Sequence, residues 1–240
     1  IRRLLNQYPE RVLIGEVWED ASHKVAYGRR RPYLEGEALH AVMNYPQRQL
    51  MLDYVQGQLA PAQLGRQLLT LQENYPPEVF AYNFTSLSTH DTPRVLTEVH
   101  EDEAVLTLLL TLATVLPGDW VQFYGDEAGL TGGKDPDNRK YYPWRGGNSR
   151  VQRLYAQAAQ LRRISVLQGA APFAPFWDGD VFGVLRYQGS DGLAFYANAS
   201  AKRVSFSPSG AKLTYVPNDW RTRLQEVTLE PHTSKIINLN

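Results

Sequence analysis

The chain has 240 residues, 43% hydrophobic and 21% charged, an ordinary globular balance that argues against disorder and allows one large domain or two modest ones. Its 25 basic and 25 acidic residues cancel, which speaks against a nucleic-acid or anionic-membrane partner, because both depend on a basic patch that displaces counterions. Cysteine is absent, so neither a disulfide framework nor a thiolate metal site is available; this suits a reducing compartment and makes a cytoplasmic location the expectation.

Ile1 to Glu10 reads as the tail of a helix whose start lies upstream, so the N-terminus looks cut. Arg11–Trp18 holds a short apolar run, Val12-Leu13-Ile14-Gly15, that closes on Glu16 as a buried strand with polar residues at its C-terminal end. Ala41-Val42-Met43-Asn44-Tyr45, stopped by Pro46, repeats that pattern. Leu64, Leu68 and Leu71 share one face of a helix that Pro61 can start. Asn83–Ser88 predicts a third strand, leading to His90-Asp91. Ala104–Leu116 is too short to span a bilayer and predicts a buried helix. Val121–Tyr124 predicts a fourth strand, leading to Gly125-Asp126-Glu127, and Val151, Leu154, Tyr155, Ala158, Leu161 and Ile164 mark a further helix. Strands alternating with helices call for a parallel sheet covered by helices, and polar residues at the strand ends fit a TIM barrel, of which four of eight strands are here.

From about Gly169 the pattern changes to short strand-like runs: Val181–Tyr187, Leu193–Ala197, Arg203–Phe206, Leu213–Val216 and Arg223–Leu239, split by turn residues. Pro172 and Pro175 mark the expected boundary. The expected architecture is therefore α/β, with half of a TIM (β/α)8 barrel over residues 1–168 and an all-β antiparallel sandwich over 169–240.

Retaining glycoside hydrolysis needs two carboxyl groups about 5–5.5 Å apart, one as nucleophile and one alternating as acid and base. Glu16 suits the acid, with Trp18 on the same side of an extended backbone, although an exposed glutamate ending a core strand would look the same. Asp91 could steady an oxocarbenium-like charge, with His90 hydrogen-bonding the same ring. The segment could equally be a helix start, with Asp91 as cap and Pro93 just inside. Asp135 and Arg139 are spaced to pair across a turn. The glycines before Lys134 do not make a phosphate loop, because Asp135 stands where Ser or Thr is required. The acidic run lacks the central glycine of an EF-hand, and the five histidines have no zinc-ligand spacing. No cofactor is implied; a looser calcium site stays open, as does homo-oligomerisation.

Three segments together resemble the α-amylase family, glycoside hydrolase family 13. Gly15-Glu16-Val17-Trp18 is similar to the family's fifth-strand motif, Ser88-Thr89-His90-Asp91 to its seventh, and Gly118 through Trp144, with Asp135-Pro136-Asp137-Asn138-Arg139, to its eighth-strand segment. Ala41–Pro46 and Asn74-Tyr75-Pro76 further resemble the neopullulanase, cyclomaltodextrinase and maltogenic amylase branch. The resemblance implies strands five to eight of the barrel, an α-glucan oligosaccharide or polysaccharide as substrate, Glu16 as acid/base and Asp91 as transition-state stabiliser. It further implies that His90, Asp135 and Arg139 contact sugars on the non-reducing side, and that Trp18 and Tyr45 offer stacking surfaces on the leaving-group side.

The family's nucleophile is an aspartate ending the fourth strand. Only fifteen residues precede Glu16 and none is aspartate, so the expected partner is the missing N-terminal half of the barrel, and the piece alone is expected to be inactive. Two other functions compete. A non-catalytic amylase-like partner of a transporter would have lost its acidic residues and gained a membrane anchor, whereas Glu16 and Asp91 remain here. A glucan-binding role for the β module would rest on Trp177 and Trp220, which also suit a core or an interface.

Overall fold

Local capping chemistry and alternating apolar runs set the first two thirds of the computed structural model, which describes residues 1–239. A short helix α1 (Arg2–Leu5) leads to β1 (Ile14–Gly15), followed by the hairpin β2 (Val25–Ala26) and β3 (Arg29–Arg30), then β4 (Ala41–Val42). Three helices come next: α2 (Tyr45–Val55), α3 (Pro61–Asn74) and α4 (Pro77–Tyr82). After β5 (Phe84–Ser86) come α5 (Val95–Glu98), α6 (Glu103–Val115), β6 (Asp119–Val121) and α7 (Ser149–Leu161). Each long helix starts on a device written in its sequence. Asn44 accepts the Gln47 N–H at 3.2 Å, Asp102 accepts from Ala104 and Val105, Asn148 accepts from Arg150 and Val151, and Pro61 opens α3.

The strands form a parallel arc in chain order. Ile14 and Gly15 pair with Ala41 and Val42, a bridge joins Met43 to Phe84, and Phe84–Ser86 pairs with Asp119–Val121. Among the described residues β1 and β6 each have one unpaired edge. The helices cover the outside of this arc, with Leu64, Leu68, Leu106, Leu109 and Leu112 all fully buried. No helix among the described residues is long and apolar enough to cross a membrane.

The remainder is all-β apart from α8 (Asn218–Arg221). Strands β7 (Phe173–Asp178), β8 (Val181–Gln188), β9 (Asp191–Asn198) and β12 (Thr233–Asn238) form an antiparallel sheet in the order β12-β9-β8-β7. β10 (Val204–Phe206) and β11 (Val227–Leu229) pair separately. Side chains alternate between two cores. Phe182, Val184, Leu193, Phe195 and Ala197 face the helices, while Val181, Leu185, Ala194 and Tyr196 face Phe206, Trp220 and Val227. The Tyr54 hydroxyl donates to the Ala197 carbonyl at 3.0 Å, which fastens α2 to β9.

Several expectations need correcting. Pro46 does not end a strand: it lies in the first turn of α2, where its missing N–H costs nothing. The fourth strand starts two residues earlier than predicted and ends at Val121, because Phe123 and Tyr124 leave the ladder to flank Arg94. Leu213–Val216 forms no strand. Pro175, read as a boundary mark, sits inside β7, an edge strand where a proline is tolerated.

Candidate active site

The C-terminal ends of the parallel strands carry the polar residues singled out above. Glu16 follows β1, whose Gly15 allows the Leu39 side chain to approach where a Cβ would stand. The Gly15 carbonyl accepts the Met43 N–H at 2.9 Å, so the two strand ends move together. Glu16 is exposed and lines a cavity of about 680 Å³ with Leu13, Val17, Trp18, Tyr33 and Leu39. Trp18 stacks face to face on Tyr45, with ring centroids 3.9 Å apart and planes 10° from parallel.

Tyr45 was expected to offer a stacking surface of its own. It is buried instead, because Trp18 covers its ring and its hydroxyl reaches across to Thr89 Oγ1 at 3.3 Å. The accessible aromatic surface of the pair belongs to Trp18, which is 49% exposed. Burial is the main cause that pushes the Tyr45 phenol above its ordinary pKa, and the negative charges of Glu16 and Asp91 both add to it. One phenol therefore feels both carboxyl groups.

Thr89 continues the chain of contacts, its hydroxyl accepting the Asp91 N–H at 3.2 Å. Asp91 is no helix cap: α5 begins after Arg94, and the Asp91 carboxylate turns towards His90 and Arg139. His90 Nε2 lies 3.1 Å from its Oδ2 and Arg139 Nη2 lies 3.8 Å from its Oδ1. Arg139 also pairs with Asp135 through Nε at 2.6 Å, the contact that the four-residue spacing suggested. His90, Asp91, Asp135 and Arg139 thus form one half-exposed cluster, while Glu16 and Trp18 stand on the other side of Tyr45.

Beneath this surface lie residues that sequence reasoning missed. Arg94 is fully buried, its guanidinium 4.1 Å from the Phe123 ring centroid and 4.7 Å from that of Tyr124. It pairs with Asp126 at 3.0 Å and donates to the Tyr124 carbonyl. Burial is the largest influence on Asp126, whose carboxyl is pushed up to about 6 although Ser88 and Arg94 both pull it down. Asn138, also fully buried, donates to the carbonyls of His90 and Thr92. No local spacing marks these residues, because their partners lie 30 to 48 positions away. Among the described residues, no group of three or more His, Asp or Glu is placed to hold a metal ion.

Such a site has the parts for proton transfer at one carboxyl and electrostatic steadying at another, beside an aromatic shelf and a cluster of hydrogen-bonding groups. Comparison with known proteins fits this chemistry. Residues 1–168 match the family model described as alpha amylase, catalytic domain. A cyclomaltodextrinase from Geobacillus thermopakistaniensis is 32% identical over 154 residues, covering 64% of this chain and 24% of that protein. An amylopullulanase from Thermoanaerobacter thermohydrosulfuricus is 31% identical over 201 residues, covering 72% of this chain and 13% of its own length. The chain thus spans about a quarter or less of these two relatives. In fold it is similar to the ligand-free cyclic alpha-maltosyl-(1→6)-maltose hydrolase from Arthrobacter globiformis, with a TM-score of 0.82 and 23% identity over 98% of this chain and 51% of that one.

Proposed function

The chain belongs to the α-amylase family, and from that premise we propose that it supplies strands five to eight of the catalytic barrel and the C-terminal β domain of a retaining α-glucan hydrolase. The substrates in this reading are α-1,4-linked, and in part α-1,6-linked, glucans such as maltooligosaccharides, cyclodextrins, pullulan or starch. Residues 1–168 would form the barrel portion and 169–240 the β domain. Glu16 would protonate the glycosidic oxygen and then, as carboxylate, take a proton from the incoming water. Asp91 would stabilise the positive charge that develops at the anomeric carbon, held in place by His90 and Arg139. The nucleophilic aspartate would come from the barrel's fourth strand, outside these residues. His90, Asp135 and Arg139 would bind sugar hydroxyls on the non-reducing side, and Trp18 would stack on the leaving-group side with Tyr45 behind it.

The observation that carries this reading is the position of Tyr45, whose ring stacks on Trp18, two residues past Glu16, while its hydroxyl reaches Thr89, whose own hydroxyl accepts the Asp91 N–H. Glu16 and Asp91 follow parallel strands separated by one other, at the same end of the arc, which supports the reading. The test combines this chain with a separately produced N-terminal half of the barrel and follows cleavage of maltooligosaccharides and cyclodextrins. The reassembled enzyme is expected to hydrolyse them, and Glu16→Gln to reduce the rate by about 10²–10⁴-fold. A properly reassembled barrel without cleavage, or with cleavage indifferent to Glu16→Gln, overturns the reading.

A further inference from the structure

We propose that Arg94 and Asn138 are positioning residues that lock the Asp91 loop to the Asp135–Arg139 loop, so that the two halves of the sugar-binding cluster keep one fixed geometry. The inference rests on the proposed function for its meaning and on the geometry for its substance. Asn138 is buried with its amide between the loops, and its two N–H groups reach the His90 and Thr92 carbonyls at 2.8 Å each. Those carbonyls flank Asp91 on both sides, so the amide holds the backbone that aims the carboxylate. Arg94 holds Asn138 in turn, donating from Nε to its carbonyl at 2.7 Å. The Arg94 N–H also donates to the Gly132 carbonyl at 2.9 Å, a second stitch to the same loop. The remaining guanidinium bonds, to Asp126 and the Tyr124 carbonyl, anchor the hub beyond the end of β6.

The hub is an expensive way to build a core. Arg94 Nη2 and Asn138 Oδ1 are buried without a partner, so each has given up its hydration with no hydrogen bond in return. Apolar residues of similar volume would often stabilise a buried ion-pair site equally well or better. What apolar residues would not do is fix two loops in a single register by directional bonds. That directional hold matters because catalytic groups must sit within about half an ångström of the productive geometry. Arg94 and Asn138 act through the His90, Thr92 and Asn138 backbone.

Two substitutions separate this from simple packing. Asn138→Ala removes the bonds to the Asp91 loop, and Arg94→Lys keeps a cation facing Asp126 while dropping the bond to the Asn138 carbonyl. In the reassembled enzyme, assayed below each variant's own melting transition and per mole of folded protein, each is expected to lower kcat at least tenfold with KM for maltooligosaccharides changed less than threefold. Unchanged kcat in both variants overturns the proposal, as does a fall in kcat that merely tracks loss of folded protein. Hydrogen exchange on the chain itself supplies a readout independent of activity. Asn138→Ala should speed exchange of the Thr92 and Arg94 amides and of those in Gly132–Arg139 together, by tenfold or more. Exchange confined to residue 138 and its neighbours overturns the proposal even if the wild-type assembly cleaves no glucan, whereas that last result with coupled exchange counts against the proposed function alone.

Discussion

Asp126 couples the stability of the fold to pH. Its carboxyl is buried beside Arg94 and Ser88, with Glu127 next to it and the Tyr155 phenol within its field. Desolvation outweighs the pull of Arg94, so the folded protein titrates this group near 6 against an ordinary value of 3.8. Between those two values the folded state keeps a proton that the unfolded chain has released. The stability contributed by the protonated group is therefore complete below about pH 4 and is lost as pH rises through 6, on the order of 2–3 kcal/mol in all. Asp126→Asn mimics the protonated carboxyl at every pH. The unfolding free energy of the wild type relative to Asp126→Asn should thus fall by that amount between pH 4 and pH 7, as measured by urea titration. A difference that stays constant across the range would contradict the raised value. Asp126 was legible only as part of an acidic run after a strand, since nothing within ten residues announces Arg94 as its partner. Glu16, His90 and Asp91 were legible as candidates only through motifs that resemble those of the α-amylase family, since the strand ends alone left an exposed glutamate and a helix cap as readings. The fate of Tyr45 was not, because whether a ring is offered or covered depends on Trp18 in another segment.

At the scale of elements, α3 and β7 explain how the two parts of the chain are held together. Gly65 lies mid-helix, where glycine costs about 1 kcal/mol relative to alanine. Its place is explained by Trp177 of β7: a Cβ at Gly65 would lie 2.5 Å from the indole ring. Trp177 is thus spent on this contact, with Arg66 over its ring, and Trp220 is 2% exposed against Gly192. Trp220 is thus covered, and Trp177 is half-buried by its packing on α3. Helix propensity alone predicts that Gly65→Ala stabilises the protein, whereas the close approach predicts a loss of about 1–3 kcal/mol from overpacking. Thermal melts decide between them, and Trp177→Leu should relieve the loss if the indole is its cause. The helices α3, α6 and α7 were readable because their apolar period and caps are local. β7 was not, since a proline is tolerated in a strand only at a sheet edge or a bulge, and edge position is a property of the finished sheet. β8 and β9 are buried on both faces, so their run of apolar residues revealed a strand without revealing which side meets the helices.

The whole molecule is a parallel arc with helices outside it, and a parallel arc has two ends. Among the described residues β1 and β6 each present unpaired backbone groups along one edge, and the β1 side also exposes Leu4, Tyr8 and Val12. Unpaired edges beside apolar surface favour pairing with another chain. The β domain shields the helices α2, α3 and α6 but leaves these edges open, because its sheet packs on the outer layer. Stability of the outer layer and closure of the arc are therefore separate problems: the first is met by contacts within this chain, the second, in the proposed reading, by strands from the rest of the barrel. From this follows an expectation for the chain on its own. It should fold its helices and β domain, yet self-associate as concentration rises and bind a hydrophobic dye. Both signals should disappear when the N-terminal half of the barrel is added in equal amount. Sedimentation velocity with and without that half measures the effect. A chain that remains monomeric and dye-free at high concentration would mean that the edges are satisfied within it, and that no further strands are needed to close the arc.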